Sequence, residues 1–347
     1  MCGTLLPMKL RRILLWLHRW AGVIAGLVIL FAAVTGGVLV FQETQDRWLN
    51  PQFYPTQTTA VENRAPVAAA LAELSQKQPE MRVQGIRLPH DELDALILFG
   101  GNRAAYCDPG TGKILDLRPR MNQWSQTFVK LHVNLMLGPT GGLIVEVATW
   151  ITLGLALSGL WLWWPLRIFK FRQGANFRRF NLDLHSVAGL YSSLFLLIIC
   201  VTGLTMRHLH GEHPNSPQAP MPQANALRIN VDAAIHAAET ALPGAQAAAV
   251  EMPPPNPRAT FRIQLAFPED GSPAGRSVVF VDQFSGKALA VHSAREGGFM
   301  QRYHNLQLSL HTGAVGSTST RWIALFTCIA LVLQIFSGYV LWWKRTA

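Results

Sequence analysis

The feature that most constrains this chain is a long apolar run that occurs twice with the same residues at the same spacing. The first copy follows His18 and the second follows His185, after which residues 186–206 carry no charge. About twenty apolar residues in a helix cross a hydrocarbon core of about 30 Å. Each histidine is followed at +3 and +4 by Ala-Gly and at +17 and +18 by Thr-Gly: Ala21-Gly22 and Thr35-Gly36 in the first copy, Ala188-Gly189 and Thr202-Gly203 in the second. Four matched positions indicate an internal repeat.

A second repeated pattern follows His132 and His311. Each is followed at +26 and +27 by Ser-Gly and at +31 and +32 by Trp-Trp: Ser158-Gly159 and Trp163-Trp164, then Ser337-Gly338 and Trp342-Trp343. Each half of the chain therefore consists of a span, a polar segment and a second span. Because both halves begin on the same side, we predict a parallel repeat about an axis along the membrane normal.

Composition places the chain among membrane proteins, since 50% of its residues are hydrophobic and 14% are charged. We predict an α-helical membrane protein with four transmembrane helices and two small polar domains. The predicted boundaries are an N-terminus and first helix at 1–42, a first polar domain at 43–141, a second helix at 142–165, a basic loop at 166–183, a third helix at 184–206, a second polar domain at 207–320, and a fourth helix and C-terminus at 321–347. No small-residue cleavage pattern follows the first apolar run, so it is expected to stay uncleaved.

Charge predicts the orientation. The segments that flank the spans on one side hold eleven basic residues and a single acid, Asp183, while the rest of the chain holds equal numbers of both signs. The eleven are Lys9, Arg11, Arg12, Arg19, Arg167, Lys170, Arg172, Arg178, Arg179, Lys344 and Arg345. By the positive-inside rule both termini and the loop are cytoplasmic, and both polar domains lie outside. The positive charge then serves topology and anionic lipid, with no need for nucleic acid.

Each polar domain is predicted to be a small α+β unit. The segments that favour helices are Val61–Gln76 and Val231–Ala241, those that favour strands are Arg82–Leu88, Ala95–Phe99, Thr260–Phe267 and Arg276–Val281, and those that favour hairpins are 104–117 and 279–292. Of the four cysteines only Cys107 lies outside, so we predict no disulfide in these domains.

The predicted topology sorts the four repeated histidines into two pairs. His18 and His185 form an inner pair at the cytoplasmic ends of spans, and His132 and His311 form an outer pair at the opposite ends. Two neutral imidazoles can fill both axial positions of a haem iron, an arrangement suited to electron transfer. Two such pairs predict two haem b groups, which are non-covalent because the chain has no C-x-x-C-H motif.

The histidines and the small residues near them also have interpretations that involve no ligand. A single histidine at the edge of a span is often an interfacial residue, and Gly22 and Gly26 form a small-xxx-small pattern that also suits helix packing. The ligand interpretation is favoured by the number, spacing and sidedness of the histidines.

Several other polar residues carry weaker signals. RHLHGEH, at 207–213, could bind a metal but resembles a loop, and His208 or His304 could replace an outer ligand. Glu146 could contact a proton or substrate, or extend to the interface. The remaining histidines are expected to be solvated: His90, His236 and His292. No phosphate-binding loop, dinucleotide fingerprint or nucleophile elbow occurs.

The chain resembles the PepSY-associated transmembrane family over nearly its whole length. The resemblance lies in LHRWAGVIAGLVILFAAVTGGVL (17–39), LHVNLMLGPTGG (131–142) with LSGLWLWWP (157–165), LHSVAGLYSSLFLLIICVTGL (184–204), and LHTG (310–313) with FSGYVLWW (336–343). The hairpins CDPGTGKIL and VDQFSGKAL resemble the end of PepSY domains, which makes the two polar domains PepSY-like and periplasmic. The second half departs slightly, with LHS at 184–186 where LHR is usual.

The resemblance implies a bacterial inner-membrane protein, since family members are often iron-regulated and some resemble siderophore reductases with two haems b. The family's motif histidines fall on His18, His132, His185 and His311. The expected activity is reduction of a ferric siderophore or another ferric chelate held by the periplasmic domains, with electrons from a quinol or a separate reductase. One alternative is a non-enzymatic protein whose PepSY-like domains bind a peptide or protein. Another is a transporter or its accessory, which the lack of proline in the first and third spans disfavours.

Overall fold

A computed structural model describes residues 8–60, 63–120, 124–208, 215–223, 226–270, 275–315 and 318–346. The chain divides into two compact units, and each combines segments that are distant in sequence. The first unit is Met1–Gln42, Trp124–His210 and Gln307–Ala347, and the second is Glu43–Gln123 and Gly211–Leu306.

The helices are α1 (Met8–Leu39), α2 (Gln42–Leu49), α3 (Val67–Lys77), α4 (Trp124–Asn134), α5 (Gly138–Trp163), α6 (Phe177–His208), α7 (Val231–Ala241), α8 (Phe299–Thr312) and α9 (Thr318–Thr346). The strands are β1 (Gly85–Arg87), β2 (Leu96–Gly100), β3 (Arg103–Cys107), β4 (Ile114–Pro119), β5 (Gln246–Glu251), β6 (Thr260–Ala266), β7 (Ser277–Asp282) and β8 (Ala288–His292).

Four helices in the first unit are long and apolar enough to cross a membrane. Within the described residues these are α1, α5, α6 and α9, of which α9 qualifies over Thr318–Trp343. The prediction of a multi-pass membrane protein with four apolar helices is confirmed. Each pairs with its neighbours along the bundle, α6 with α9, α1 with α9, α1 with α5, and α5 with α6.

Two shorter helices differ from the sequence-based interpretation. His132 and His311 were predicted to lead the second and fourth spans, but they lie on α4 and α8, which end before those spans begin. The break after α4 has positive φ at Leu135 (52°) and Met136 (58°), which ends the helix. A Cβ at Gly141 would lie 1.8 Å from the carbonyl oxygen of Asn134, so only glycine lets α5 start this close to α4. Gly313 plays the same part before α9, where its Cβ would lie 2.5 Å from the carbonyl oxygen of Thr320.

The second unit contains one continuous sheet rather than the two separate α+β domains that the sequence predicts. Its strand order is β4-β3-β2-β1-β5-β6-β7-β8, so each polar segment contributes four strands. The halves join where β1 pairs antiparallel with β5, with Ile86 opposite Val250. Both side chains are buried in one apolar core together with residues of α3 and α7. The two segments therefore share one core and form one compact unit.

A helix cap also links the two segments. The backbone N–H groups of Val67 and Ala68 at the start of α3 donate to the carboxylate of Asp232 on α7, at 2.7 and 2.9 Å. The residue before α3 is Pro66, which offers no side-chain cap. An acid from the second segment therefore satisfies the free N–H groups of a helix in the first.

Both predicted hairpins are confirmed, with β3 paired to β4 and β7 paired to β8. Their turns have positive φ at Gly112 and Gly286 (72° and 70°), which glycine adopts readily. Helix α7 has the predicted bounds, whereas α3 starts only after Pro66. Strand β5 and helix α2 were not predicted from the sequence.

Candidate functional site

The four repeated histidines lie in the first unit and meet in the two predicted pairs. The inner pair joins His18 on α1 to His185 on α6, with ring centroids 6.2 Å apart and ring planes at 84°. The outer pair joins His132 on α4 to His311 on α8, at 6.0 Å and 63°. All four rings are partly buried.

These separations suit one metal ion between the two rings of a pair. A metal–nitrogen bond of about 2 Å on each side, with roughly 1.1 Å from each nitrogen to its ring centre, places two centroids roughly 6.2 Å apart. Among the described residues no three His, Cys, Asp or Glu side chains gather into a metal-binding group. A metal held by either pair would take one nitrogen from each of the two rings.

Hydrogen bonds fix the tautomer of the outer pair. Nδ1 of His132 lies 3.0 Å from the carbonyl oxygen of Ala32, and Nδ1 of His311 lies 3.0 Å from that of Ile199. Because a carbonyl only accepts, each Nδ1 carries the hydrogen and each Nε2 keeps its lone pair for a metal. Such a contact to the second ring nitrogen is what orients most metal-bound imidazoles.

Threonine hydroxyls give the outer pair a second contact. The Oγ1 atoms of Thr35 and Thr202 lie 3.2 and 3.1 Å from Nδ1 of His132 and His311, respectively. Each hydroxyl donates to a carbonyl of its own helix, Phe31 at 2.6 Å and Ile198 at 2.7 Å, so its oxygen is free to accept from the imidazole.

The inner pair is held in a similar way by serines. Nδ1 of His185 lies 3.0 Å from the carbonyl oxygen of Gln334 and 3.3 Å from Oγ of Ser337. Nδ1 of His18 lies 2.8 Å from Oγ of Ser158. The carbonyl contact of His185 leaves its Nε2 for a ligand. The Ser158 hydroxyl donates to the carbonyl oxygen of Leu155 at 3.2 Å, so its oxygen is free to accept from Nδ1 of His18, which leaves Nε2 of that ring for a ligand as well.

A glycine lies against each of the four rings, immediately after the threonine or serine that bonds it. A Cβ at Gly36 would lie 3.0 Å from Cε1 of His132, and the corresponding distances to the histidine Cε1 atoms are 3.2 Å for Gly203, 3.3 Å for Gly159 and 3.6 Å for Gly338. These Thr-Gly and Ser-Gly dipeptides mark the repeat in the sequence, but their contacts with the histidines were not predicted. The equal spacing of the dipeptides in the two halves of the chain was the signal that could have indicated these contacts.

A cavity of about 610 Å³ surrounds the inner pair, a size typical of sites for small molecules and cofactors. Its walls are mostly apolar, and Gly22 and Gly189 both line it, as expected if the small residues make room for a flat ring system. Three arginines also line it, Arg19, Arg178 and Arg179. Two neutral imidazoles, an apolar cradle and cations suited to carboxylates fit a haem with its two propionates.

The two pairs lie at different levels of the same helices. Along α1, His18 is fourteen residues before Ala32, and along α6, His185 is fourteen residues before Ile199. At 1.5 Å per residue the inner and outer ligands are about 21 Å apart along each helix. The same two helices thus carry the inner ligands and hold the outer ones.

The other candidate residues lie outside these pairs. Glu146 pairs with Arg207 at 2.6 Å and with His208 at 2.8 Å, which commits His208 to a carboxylate. His304 lies on α8 seven residues before His311, about two turns away. Residues 210 and 213 of the RHLHGEH segment lie outside the described residues.

One exposed histidine outside the pairs also contacts a buried acid. His236 and His292 are exposed, as predicted, but Nδ1 of His90 lies 2.6 Å from the carboxylate of the buried Asp94. The bond to Asp94 raises the pKa of His90. His90 is itself exposed, as predicted for a solvated histidine, and its loop also brings the ring onto this buried acid.

A family model described as the PepSY-associated TM region matches residues 15–345, which include both histidine pairs. Comparison with curated proteins gives no match.

Proposed function

The chain belongs to the PepSY-associated TM family, and we propose that it carries electrons across a bacterial inner membrane to a ferric siderophore or another ferric chelate. The observation that carries the proposal is the geometry of the two histidine pairs, with ring centroids 6.2 and 6.0 Å apart. In each pair the Nδ1 atoms are engaged and the Nε2 atoms are left for a metal.

The proposed cofactors are two non-covalent haems b, one at each pair. A haem with both axial positions filled supplies one-electron transfer without binding oxygen. His18 and His185 would hold the inner haem, and Arg19, Arg178 and Arg179 line the same cavity, where cations would suit its propionates. His132 and His311 would hold the outer one. Helices α1 and α6, which contact all four histidines, would hold the two haems at a fixed separation.

The electron donor in this proposal is a quinol or a separate reductase. The described part of the chain contains a helix bundle and an antiparallel sheet, neither of which is the parallel α/β fold that binds nicotinamide or flavin dinucleotides. One quinol would release two electrons and two protons and become a quinone. Each electron would reduce one ferric ion to ferrous, which oxygen chelators hold less tightly.

The basic flanking segments support the proposed direction. If they are cytoplasmic, both termini lie inside, the inner pair receives the electron, and the outer pair faces the periplasm. The ferric chelate would then be reduced in the periplasm, and the lipid bilayer would be the medium through which a quinol reaches the protein.

Reoxidation of reduced protein tests the proposed activity. We expect dithionite-reduced protein, freed of excess reductant under argon, to lose its haem α-band when ferric siderophore is added, while a ferrous trap such as ferrozine develops colour. Two variants make the test more specific. His311→Ala removes an outer ligand and should slow the reaction at least tenfold. The control His236→Ala changes an exposed histidine on α7 and should leave the rate unchanged.

The reductase assignment fails if ferric siderophore reoxidises the protein no faster than buffer alone. In that case the two haem sites can still be present, and their substrate would be another electron acceptor.

A further inference from the structure

The hydrogen bonds that hold the four histidines follow one rule with one exception. In three cases Nδ1 contacts a backbone carbonyl that lies three residues before a Thr-Gly or Ser-Gly dipeptide, and also contacts the hydroxyl of that dipeptide. The carbonyls are those of Ala32, Ile199 and Gln334. His18 is the exception.

The contact of His18 runs through a hydroxyl alone. Its Nδ1 lies 2.8 Å from Oγ of Ser158, and that hydroxyl donates in turn to the carbonyl oxygen of Leu155 at 3.2 Å. Leu155 is the residue that corresponds to Gln334 in the other half of the chain. Within the described residues, Ser158 is the sole hydrogen-bond partner of His18 Nδ1.

We propose that Ser158 is the positioning residue that fixes His18 as a ligand of the inner haem. His18 depends on this one hydroxyl, whereas each of the other three histidines also contacts a backbone carbonyl. The inference rests on the proposed function, since it assumes that the inner pair holds a haem.

The physical reason is the number of acceptors at each ring. Without the Ser158 hydroxyl, the partly buried Nδ1–H of His18 loses its acceptor, or the ring changes tautomer and places the hydrogen on Nε2, where it blocks the metal. Without the Ser337 hydroxyl, His185 still donates to the carbonyl of Gln334 at 3.0 Å. The two serines occupy equivalent repeat positions, so each serves as the matched control for the other.

The hydroxyl also affects the electronic properties of the ligand. An acceptor on Nδ1–H makes the imidazole a stronger base and favours the ferric form of a bound haem. Loss of the Ser158 contact should therefore raise the midpoint potential of the inner haem, an effect that a purely structural role would not produce.

The experiment compares Ser158→Ala, Ser337→Ala and Ser158→Thr in the full chain, with haem content, haem transfer to apomyoglobin and spectroscopic redox titration as the readouts. Ser158→Ala should weaken haem binding at one site by about ten- to a hundredfold and shift its potential upward, as loss of such supporting contacts commonly does. Ser337→Ala should change binding by less than about threefold. Ser158→Thr should restore binding, because threonine holds the histidines of the outer pair.

The outer haem reports on folding in the same molecules. Retention of one haem in Ser158→Ala, with the other weakened, is the expected result. Equal effects of the two alanine variants, no effect of either, or loss of both haems together in Ser158→Ala overturns the inference. A wild-type protein without haem refutes the proposed function itself, so the two failures are distinct.

Discussion

At the scale of single residues, the repeated dipeptides combine two contacts with the same imidazole. In Thr35-Gly36 the hydroxyl oxygen lies 3.2 Å from Nδ1 of His132, while the glycine leaves space against Cε1 of that ring. A larger residue in place of the glycine would displace the ring that the threonine orients. The sequence shows the dipeptides and their spacing, but it does not show which histidine each one touches, because that contact joins residues far apart in the chain.

Substitution of Gly36 tests the need for this space. A Cβ there would lie 3.0 Å from Cε1 of His132, so Gly36→Ala should tilt the ring and weaken haem binding at the outer pair several-fold. The adjacent Gly37→Ala is the control, since its Cβ would lie 3.4 Å from Cβ of Cys328, an ordinary contact distance. Haem transfer rates measure both. Equal behaviour of the two variants would show that the ring does not depend on Gly36.

At the scale of elements, one buried ion pair attaches α2 to the sheet. The carboxylate of Asp46 on α2 accepts two hydrogen bonds from Arg118 on β4, at 3.1 and 2.7 Å, and one from the hydroxyl of Tyr54 at 2.6 Å. Both charged side chains are 12% exposed. Removal of one partner would leave the other charge buried and unpaired.

The pair predicts a pH dependence on the acid side. Burial alone would raise the pKa of Asp46, but the bonds from Arg118 and Tyr54 outweigh it and hold the pKa below the ordinary 3.8. The stabilisation is therefore complete above pH 3.8 and is lost as the pH falls through the lowered value in the folded protein. Asp46→Asn should destabilise β3 and β4 by about 3 kcal/mol at neutral pH and flatten their acid dependence.

Hydrogen exchange of peptides from β3 and β4 in the full chain, corrected for intrinsic rates, measures this effect. Asp116→Asn, at an exposed position on β4, is the control and should change little. If Asp46→Asn exchanges like the control at every pH, the pair does not hold α2 to the sheet.

Sequence patterns predicted some elements well and others poorly. Alternating apolar residues on either side of a glycine turn defined both hairpins, and the apolar runs defined the four long helices. β5 escaped because its sequence, QAAAVE, has little β-branched character. The ends of α4 and α8 were not predicted. Leucine and methionine are unusual at positive φ, so Leu135 and Met136 gave no sign of a helix end. The close approach of the next helix is marked in the sequence only by a glycine, Gly141 or Gly313.

The joining of the two polar segments also lay beyond sequence patterns. It depends on β1, which has three residues, and on a cap that Asp232 provides across more than 160 positions of the chain. Such long-range contacts leave no periodic trace. The pairing of the histidines was predictable because the repeat itself states which residues are equivalent.

At the scale of the whole molecule, the charge bias predicts which side of the membrane each segment occupies. A reporter that is active only in the cytoplasm should be active when fused after Ala347, and a reporter that is active only in the periplasm should be active when inserted near Pro217. The physical reason is the eleven basic residues that flank the spans on one side. The reverse pattern of activity would place the outer pair in contact with the cytoplasm and contradict the proposed direction of electron flow.

Haem binding at both histidine pairs is the premise of the proposed electron transfer. A pyridine haemochrome assay set against protein mass measures this directly on purified full-length protein. We expect two haems b per chain, one left after His18→Ala or His185→Ala, one left after His132→Ala or His311→Ala, and none after His18→Ala combined with His132→Ala. A colourless wild-type protein would contradict the claim and favour a PepSY-domain protein that binds a peptide or protein without redox chemistry; one intact bis-histidine haem in the double variant would contradict the pairing.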